Sequence, residues 1–345
     1  MADKKLSSQR TAYGEALVAL GAENPDVVAL EADLGKSTMS SLFGAEYPNR
    51  YFEMGIAEQN MLSTAAGLAA AGKIAFASSF AVFASGRAYD QIRQTISIGR
   101  LNVKICGSSA GLSDFGDGST HQAVEDVAVM CAIPNMTVFT PCDAAETHMA
   151  VRAAAKIDGP VYIRVCRNPV VDYTNMEDDF TPGALRVVRD GSGALVGSGG
   201  SGGSGGFGGF DGSGGSGSSG GSGSSDVVIF AFGVMLDAAM DAADILEARG
   251  FSSKVVNCAT MKPFDYIGCA ALCAGARAVV TAEEHTFIGG LASAVALSLR
   301  QSGAPMDFVA IMDEFGQSAH SAGELYAHYG LTAENIAHKA LGLLK

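Results

Sequence analysis

Residues 193–225 are almost pure glycine and serine, interrupted only by Ala194, Leu195, Val196, Phe207, Phe210 and Asp211. Seventeen of these 33 residues are glycine, so the stretch has too little apolar surface to offset the entropy of ordering it. It predicts a flexible tract of roughly 30 Å root-mean-square span, about 5–6 Å times the square root of its length. The 345-residue chain thus divides into a region over 1–190, a tract over 191–225 and a second region over 226–345. Both regions are of ordinary domain size, and the tract reads as an inert insertion.

Outside the tract, helix-period and strand-like segments alternate. The first region predicts helices over 8–22, 57–71, 87–98, 123–131 and 144–157, and strands over 27–32, 74–79, 103–107, 137–140 and 161–165. The second predicts strands over 227–232, 254–257, 278–282 and 307–311, with helices over 236–249, 287–300 and 322–329. Such alternation builds a parallel sheet covered on both faces. The predicted fold class is α/β: two doubly wound domains joined through the Gly/Ser-rich tract.

Charge and apolar content narrow the functions open to such a fold. Thirty-six acidic against 23 basic residues give a net charge of −13, which repels a phosphate polyanion and excludes general nucleic-acid binding. No run of eighteen apolar residues is present, so no membrane span is expected. The first residues lack the apolar core of a secretory signal, and seven cysteines without a Cys-x-x-Cys pair suit reduced thiols. A cytoplasmic location is expected.

In parallel α/β sheets ligands collect beyond the carboxyl ends of strands. Four turns stand there. Glu31-Ala-Asp33-Leu-Gly-Lys36-Ser37-Thr38 suits an anion, or is a solvated cap. Glu58 opens a nearly uncharged Ala-rich helix, where a carboxylate is favoured by the helix dipole but costly if it is buried without a partner. Phe80 and Phe83 share a helical face after a strand, which fits core packing or a stacking role. The loop from Gly107 to Gln122 carries Asp114, Asp117 and His121, and long ordered loops in compact domains are usually functional. Asp117 and His121 suit substrate hydroxyls.

Other motifs fail on context. Gly107-Ser-Ser109-Ala-Gly111 fits a nucleophile elbow, but an elbow runs straight into a helix and here a Gly/Asp-rich loop follows. Gly35-Lys36-Ser37 ends like a phosphate-binding P-loop, yet Leu30 occupies the place of its first glycine. The six histidines show no zinc spacing.

Met54-Gly-Ile-Ala-Glu58-Gln-Asn-Met61, Arg87-Ala-Tyr-Asp-Gln-Ile-Arg93, Asp117-Gly-Ser-Thr-His121-Gln and Thr281-Ala-Glu-Glu-His-Thr-Phe-Ile-Gly-Gly-Leu-Ala-Ser-Ala294 closely resemble the transketolase family. The likeness spans nearly all of the chain outside the tract. It corresponds to the family's pyrimidine-binding and C-terminal domains, as in the C-terminal subunit of a split, two-gene transketolase.

The resemblance implies thiamine diphosphate as cofactor, with Mg²⁺ and the diphosphate held mainly by a separate N-terminal subunit. It implies transfer of a two-carbon ketol unit from a ketose phosphate to an aldose phosphate in an α2β2 heterotetramer. Glu58 and His121 match catalytic positions. Glu58, Phe80, Phe83 and Asp33 match cofactor-binding ones, and Asp117, His121, Arg167 and Ser37 match substrate-binding ones; no metal ligand is implied. One departure stands out: Ser109 occupies a place, twelve residues before His121, where transketolases often have another histidine. A hydroxyl does not replace an imidazole as an acid–base group near neutral pH, so an altered donor or acceptor is open. A 1-deoxyxylulose-5-phosphate synthase-like enzyme, the β subunit of a 2-oxo acid dehydrogenase and a non-catalytic assembly subunit remain alternatives. The second domain is expected to serve assembly, with Glu283, Glu284 and His285 just past a strand end.

Overall fold

A computed structural model describes residues 4–196 and 225–345; the predicted flexible tract lies, over 197–224, outside them. β1 (Leu6–Ser7) leads into α1 (Gln9–Glu23), whose first turn is capped by Ser8 Oγ accepting the Thr11 N–H. β2 (Val27–Glu31), the short helices α2 (Gly35–Thr38) and α3 (Ser41–Glu46), and β3 (Tyr51–Glu53) follow. Next come α4 (Glu58–Ala70), β4 (Ile74–Phe80) and β5 (Val103–Ser108), with wide i→i+5 helical turns over Phe83–Arg87 and Gln91–Ser97 between the two strands. α5 (Asp126–Ala132), β6 (Thr137–Phe139), α6 (Ala144–Lys156), β7 (Val161–Arg164), β8 (Val170–Val171) and β9 (Arg186–Arg189) complete the part before the tract.

After the tract come β10 (Val227–Ala231), α7 (Met235–Glu247), β11 (Ser253–Asn257), β12 (Thr260–Lys262) and α8 (Tyr266–Leu272). The chain ends with β13 (Ala278–Thr286), α9 (Leu291–Ser298), β14 (Met306–Ile311), α10 (Ala322–His328) and α11 (Ala333–Leu343).

The strands form a seven-stranded sheet in the order β12-β6-β7-β5-β4-β2-β3 and a five-stranded sheet in the order β14-β13-β10-β11-β9. Within these two sheets all pairings are parallel except those of β12 and β9 at the edges, and β1 and β8 pair antiparallel in a separate two-stranded sheet. Central strands such as β2 (VVALE) and β10 (VVIFA) are buried at every position, as doubly covered parallel strands must be. α4 buries Glu58, Met61, Leu62, Ala65 and Ala66, a stripe at helical spacing that packs on β4. One apolar cluster joins Leu30, Ala77 and Ile105 of the first sheet to Phe230, Val256 and Val279 of the second, so the two halves share a core.

The α/β class and doubly wound sheets agree with the sequence expectation. Three features go beyond it. β9, ahead of the tract, lies in the second sheet, and β12, from beyond it, edges the first. Both flanks of the tract therefore belong to the second sheet, and the chain passes between sheets within residues 172–185. β13 runs on to Thr286, so Glu283, Glu284 and His285 lie inside the strand and are fully buried, not beyond its end. The helical segment expected over 87–98 begins at Phe83, and its wide turns set that ring beside the end of β4. Among the described residues no helix is long and apolar enough to cross a membrane.

Candidate active site

β5, β4 and β2 are neighbours, so the turns that leave their carboxyl ends converge. Phe80, the last residue of β4, is nearly buried and lies parallel to Phe83, with ring centroids 6.2 Å apart and planes 13° from each other. His121 arrives from the long loop after β5 and points its edge at both rings, 5.3 Å from Phe83 and 6.3 Å from Phe80. The Arg167 guanidinium lies 5.7 Å over the Phe80 ring, its Nη1 3.1 Å from Asp114 Oδ2. Phe80, Phe83, His121 and Arg167 are thus brought together from three separate segments.

Glu58 opens α4 from a turn in which Gly55 takes φ +67°, a left-handed conformation that favours glycine. Its residue is 5% exposed, and among the described residues no hydrogen bond or ion pair reaches its carboxyl. α4 packs against β4 and against the turn that carries Phe83. Its carboxyl is thus left free to meet solvent or a ligand. Phe80 and Phe83 set two near-parallel rings at the end of β4, and α4, which Glu58 opens, packs against the turn that carries Phe83.

The turn after β2 is held from beneath. Glu31, fully buried, accepts bonds from Thr38 Oγ1 (2.6 Å), Ser40 Oγ (2.5 Å) and the Ala32 N–H (3.0 Å). Burial pushes its carboxyl up to about 7 against those three donors. Above it Asp33 is exposed at φ +63°, its N–H donating to Glu53 Oε1 at 2.7 Å. Ser37 is half-buried, and its carbonyl accepts Arg10 Nη1 at 2.7 Å, while Arg10 Nε donates to the Arg167 carbonyl at 3.0 Å. Arg10 therefore ties Ser37 to Arg167 and adds a second guanidinium at this end; burial and the Arg167 charge both lower its pKa. Sequence reasoning missed Arg10. The available signal was a cation in the first turn of α1, where the helix dipole disfavours one.

Asp117 is exposed, and no hydrogen bond joins it to His121, whose Nδ1 lies 2.9 Å from Thr120 Oγ1. The loop's buried carboxylate is Asp114, at the Arg167 guanidinium; burial raises its pKa while Arg167 opposes the rise. Ser109 takes φ +52°, as a nucleophile elbow would, but it is fully buried and its Oγ has no hydrogen-bond partner, so no base activates it. Among the described residues no cluster of three His, Cys, Asp or Glu is arranged to hold a metal ion.

The sequence matches the family models for the transketolase pyrimidine-binding domain over residues 7–171 and the transketolase C-terminal domain over 221–336. A protein of Methanocaldococcus jannaschii, named as a transketolase C-terminal section, is 38% identical over 97% of this chain and 96% of its own length. The 6-deoxy-6-sulfo-D-fructose transketolase subunit SqwH of Clostridium sp. strain MSTE9 is 36% identical, over 96% of this chain and 92% of its own. A solved structure described as a split gene transketolase, inactive beta4 tetramer, superposes with a TM-score of 0.80 at 41% identity, covering 98% of both chains. The chain belongs to the transketolase family and carries its pyrimidine-binding and C-terminal domains, the arrangement of the C-terminal subunit of a split transketolase.

Proposed function

We propose that this chain is the C-terminal subunit of a thiamine diphosphate-dependent transketolase that moves a two-carbon ketol unit from a ketose phosphate to an aldose phosphate. The observation that carries the reading is Glu58, nearly buried and unpartnered at the head of α4, the helix that packs against the turn bearing Phe83. When bound, thiamine diphosphate supplies the nucleophilic carbon and the electron sink that carbon–carbon cleavage and formation require.

The chain's own residues bind and orient. Glu58 would hold a proton against a ring nitrogen of the aminopyrimidine. Phe80 and Phe83 offer flat faces to that ring and keep water from it. Asp33 stands on the turn nearest the cofactor's other ring. His121 and Asp117 bond sugar hydroxyls, and His121 is the proton-transfer group on the substrate side. Arg167, Ser37 and Arg10 take the anionic end, for which guanidinium forks are suited. The Mg²⁺ ion and the diphosphate are held by an N-terminal subunit, in an α2β2 assembly, in the cytoplasm. Because a relative is named for 6-deoxy-6-sulfo-D-fructose, a sulfonated donor is the competing substrate to assay.

The test is Glu58→Gln in the chain co-assembled with its N-terminal subunit. Turnover of a ketose phosphate with an aldose phosphate should fall by at least about 10²-fold, the scale of a lost proton-transfer group. Unchanged turnover would favour the assembly-subunit alternative, and pyruvate decarboxylation without a phosphorylated donor would favour the 2-oxo acid alternatives.

A further inference from the structure

The second domain reaches the substrate side of the first through one buried acid. Glu284 lies near the end of β13, and its Oε1 accepts the Leu112 N–H at 2.9 Å, within the loop that carries Asp114, Asp117 and His121. Gly111, one residue earlier, has φ +62°, and a Cβ there would collide with the Glu284 carboxyl. Glycine at this position lets the loop backbone lie directly on the acid.

The acid is itself held. Arg164 Nη1 is 3.6 Å from Glu284 Oε2, and Arg164 Nη2 donates to the Glu284 carbonyl at 2.9 Å. Arg164 Nε pairs with Asp126 Oδ2 at 3.1 Å, and the Tyr162 hydroxyl donates to the same oxygen at 2.8 Å. From Leu112 the contacts run on toward the rings. Ser113 Oγ accepts the Arg167 N–H at 3.2 Å, and Asp114 pairs with the Arg167 side chain above Phe80. The other ties from the second domain to this loop are neutral: Gln122 Nε2 to the Gln317 carbonyl and the Ala319 N–H to the Phe115 carbonyl.

We propose that Glu284 is a positioning residue: by holding Leu112 it sets where Asp114, Asp117 and His121 stand relative to the ring pair. This rests on reading the loop as the substrate-binding segment. A hydrogen bond to a buried charged group is the strongest single restraint on a loop that has no sheet or long helix of its own. The charged and titratable groups that face the carboxyl are Arg164 of β7, Asp126 of α5, Tyr326 of α10 and Cys166 just after β7. Burial pushes Glu284 up to about 6, with Arg164 opposing, so its bond to Leu112 weakens as pH falls through that value.

Two variants and two readouts test this. In the full chain, Glu284→Ala should speed amide exchange at 110–116 about tenfold or more, the scale of one lost charge-assisted bond, without loosening β10 or β4. Assembled with the N-terminal subunit, the same variant should raise KM for the sugar phosphate about tenfold and lower kcat as well, because the loop carries His121, the proton-transfer group. Glu284→Gln, which keeps an oxygen acceptor, should restore both to within about threefold of wild type and abolish the faster loop exchange below pH 6. Unchanged loop exchange in Glu284→Ala overturns the proposal. So does a Glu284→Gln variant that loosens both sheets as much as the alanine does. If Glu284→Ala does not fold, the pH dependence of wild type against Glu284→Gln decides. An assembly that turns over no sugar phosphate removes the reading of the loop, whereas the exchange experiment still decides whether Glu284 holds it.

Discussion

The two sheets share an architecture and differ in what happens at their carboxyl edges. At the edge of the seven-stranded sheet Glu58 has no partner, Ser109 sits buried with its hydroxyl unbonded, and Asp33 and Ser109 take left-handed conformations. At the corresponding edge of the five-stranded sheet Glu283 accepts the N–H groups of Leu291 and Ala292, at 2.7 and 2.8 Å, and thereby closes the start of α9. Its neighbours are engaged too: Glu284 with Leu112, and His285 Nδ1 with the Thr286 carbonyl at 2.7 Å. Glu58 is the nearly buried acid left without a partner among the described residues of the first sheet's edge, whereas Glu283 and Glu284 at the second sheet's edge bond backbone N–H groups.

The contrast breaks most visibly at the ion pair that links the halves. Arg164→Leu strands Asp126 and Glu284 in the shared core and should cost about 3–5 kcal/mol in urea denaturation. If the halves were independent, two transitions would appear and only one would move.

A smaller effect carries opposite signs in the two sheets. Glu283→Leu leaves two helix N–H groups unpaired and should destabilise by about 1–3 kcal/mol. Glu58→Leu removes an orphaned carboxyl and should stabilise the unliganded chain by about 1 kcal/mol. Thermal melts of the two variants side by side would erase the distinction if both moved the same way.

The smallest effect is a slope with pH, and it asks whether the first sheet also has a supporting acid. Glu31 is raised from 4.5 to about 7 by burial, so the folded chain keeps its proton where the unfolded chain has lost it. Its contribution is fully present below about pH 4.5 and is lost as pH rises through about 7. The stability of wild type relative to Glu31→Gln should therefore fall between those limits; a flat difference would show that Glu31 carries no such strain.

Much of the fold was legible because doubly covered strands are apolar throughout and the helices between them keep one apolar face. The helix α11 (Ala333–Leu343) was not anticipated, and the strands that escaped had polar or very short sequences. β9 and β12 carry Arg186, Arg189 and Lys262, and they become strands only because another sheet edge receives them. The extension of β13 through Glu283-Glu284-His285 reads as a polar turn until the partners supplied by α9 and the long loop are in place. At the site, Glu58, Phe80 and Phe83 could be singled out from strand ends and spacing. The pairing of Asp114 with Arg167 could not, since its partner lies 53 positions away. Arg10 looked like any helix-surface cation because its acceptors, the Ser37 and Arg167 carbonyls, are contributed by turns distant in sequence.

The exchange of edge strands bears on how such a protein can be divided. A gene cut anywhere between Val171 and Val227 would leave one fragment without β12 or the other without β9, baring a raw row of backbone donors and acceptors. Bared edges invite pairing with other chains, so separated halves should be less soluble than the single polypeptide. A long glycine- and serine-rich insert, by contrast, can be accommodated between β9 and β10 because it parts neither of them from its sheet.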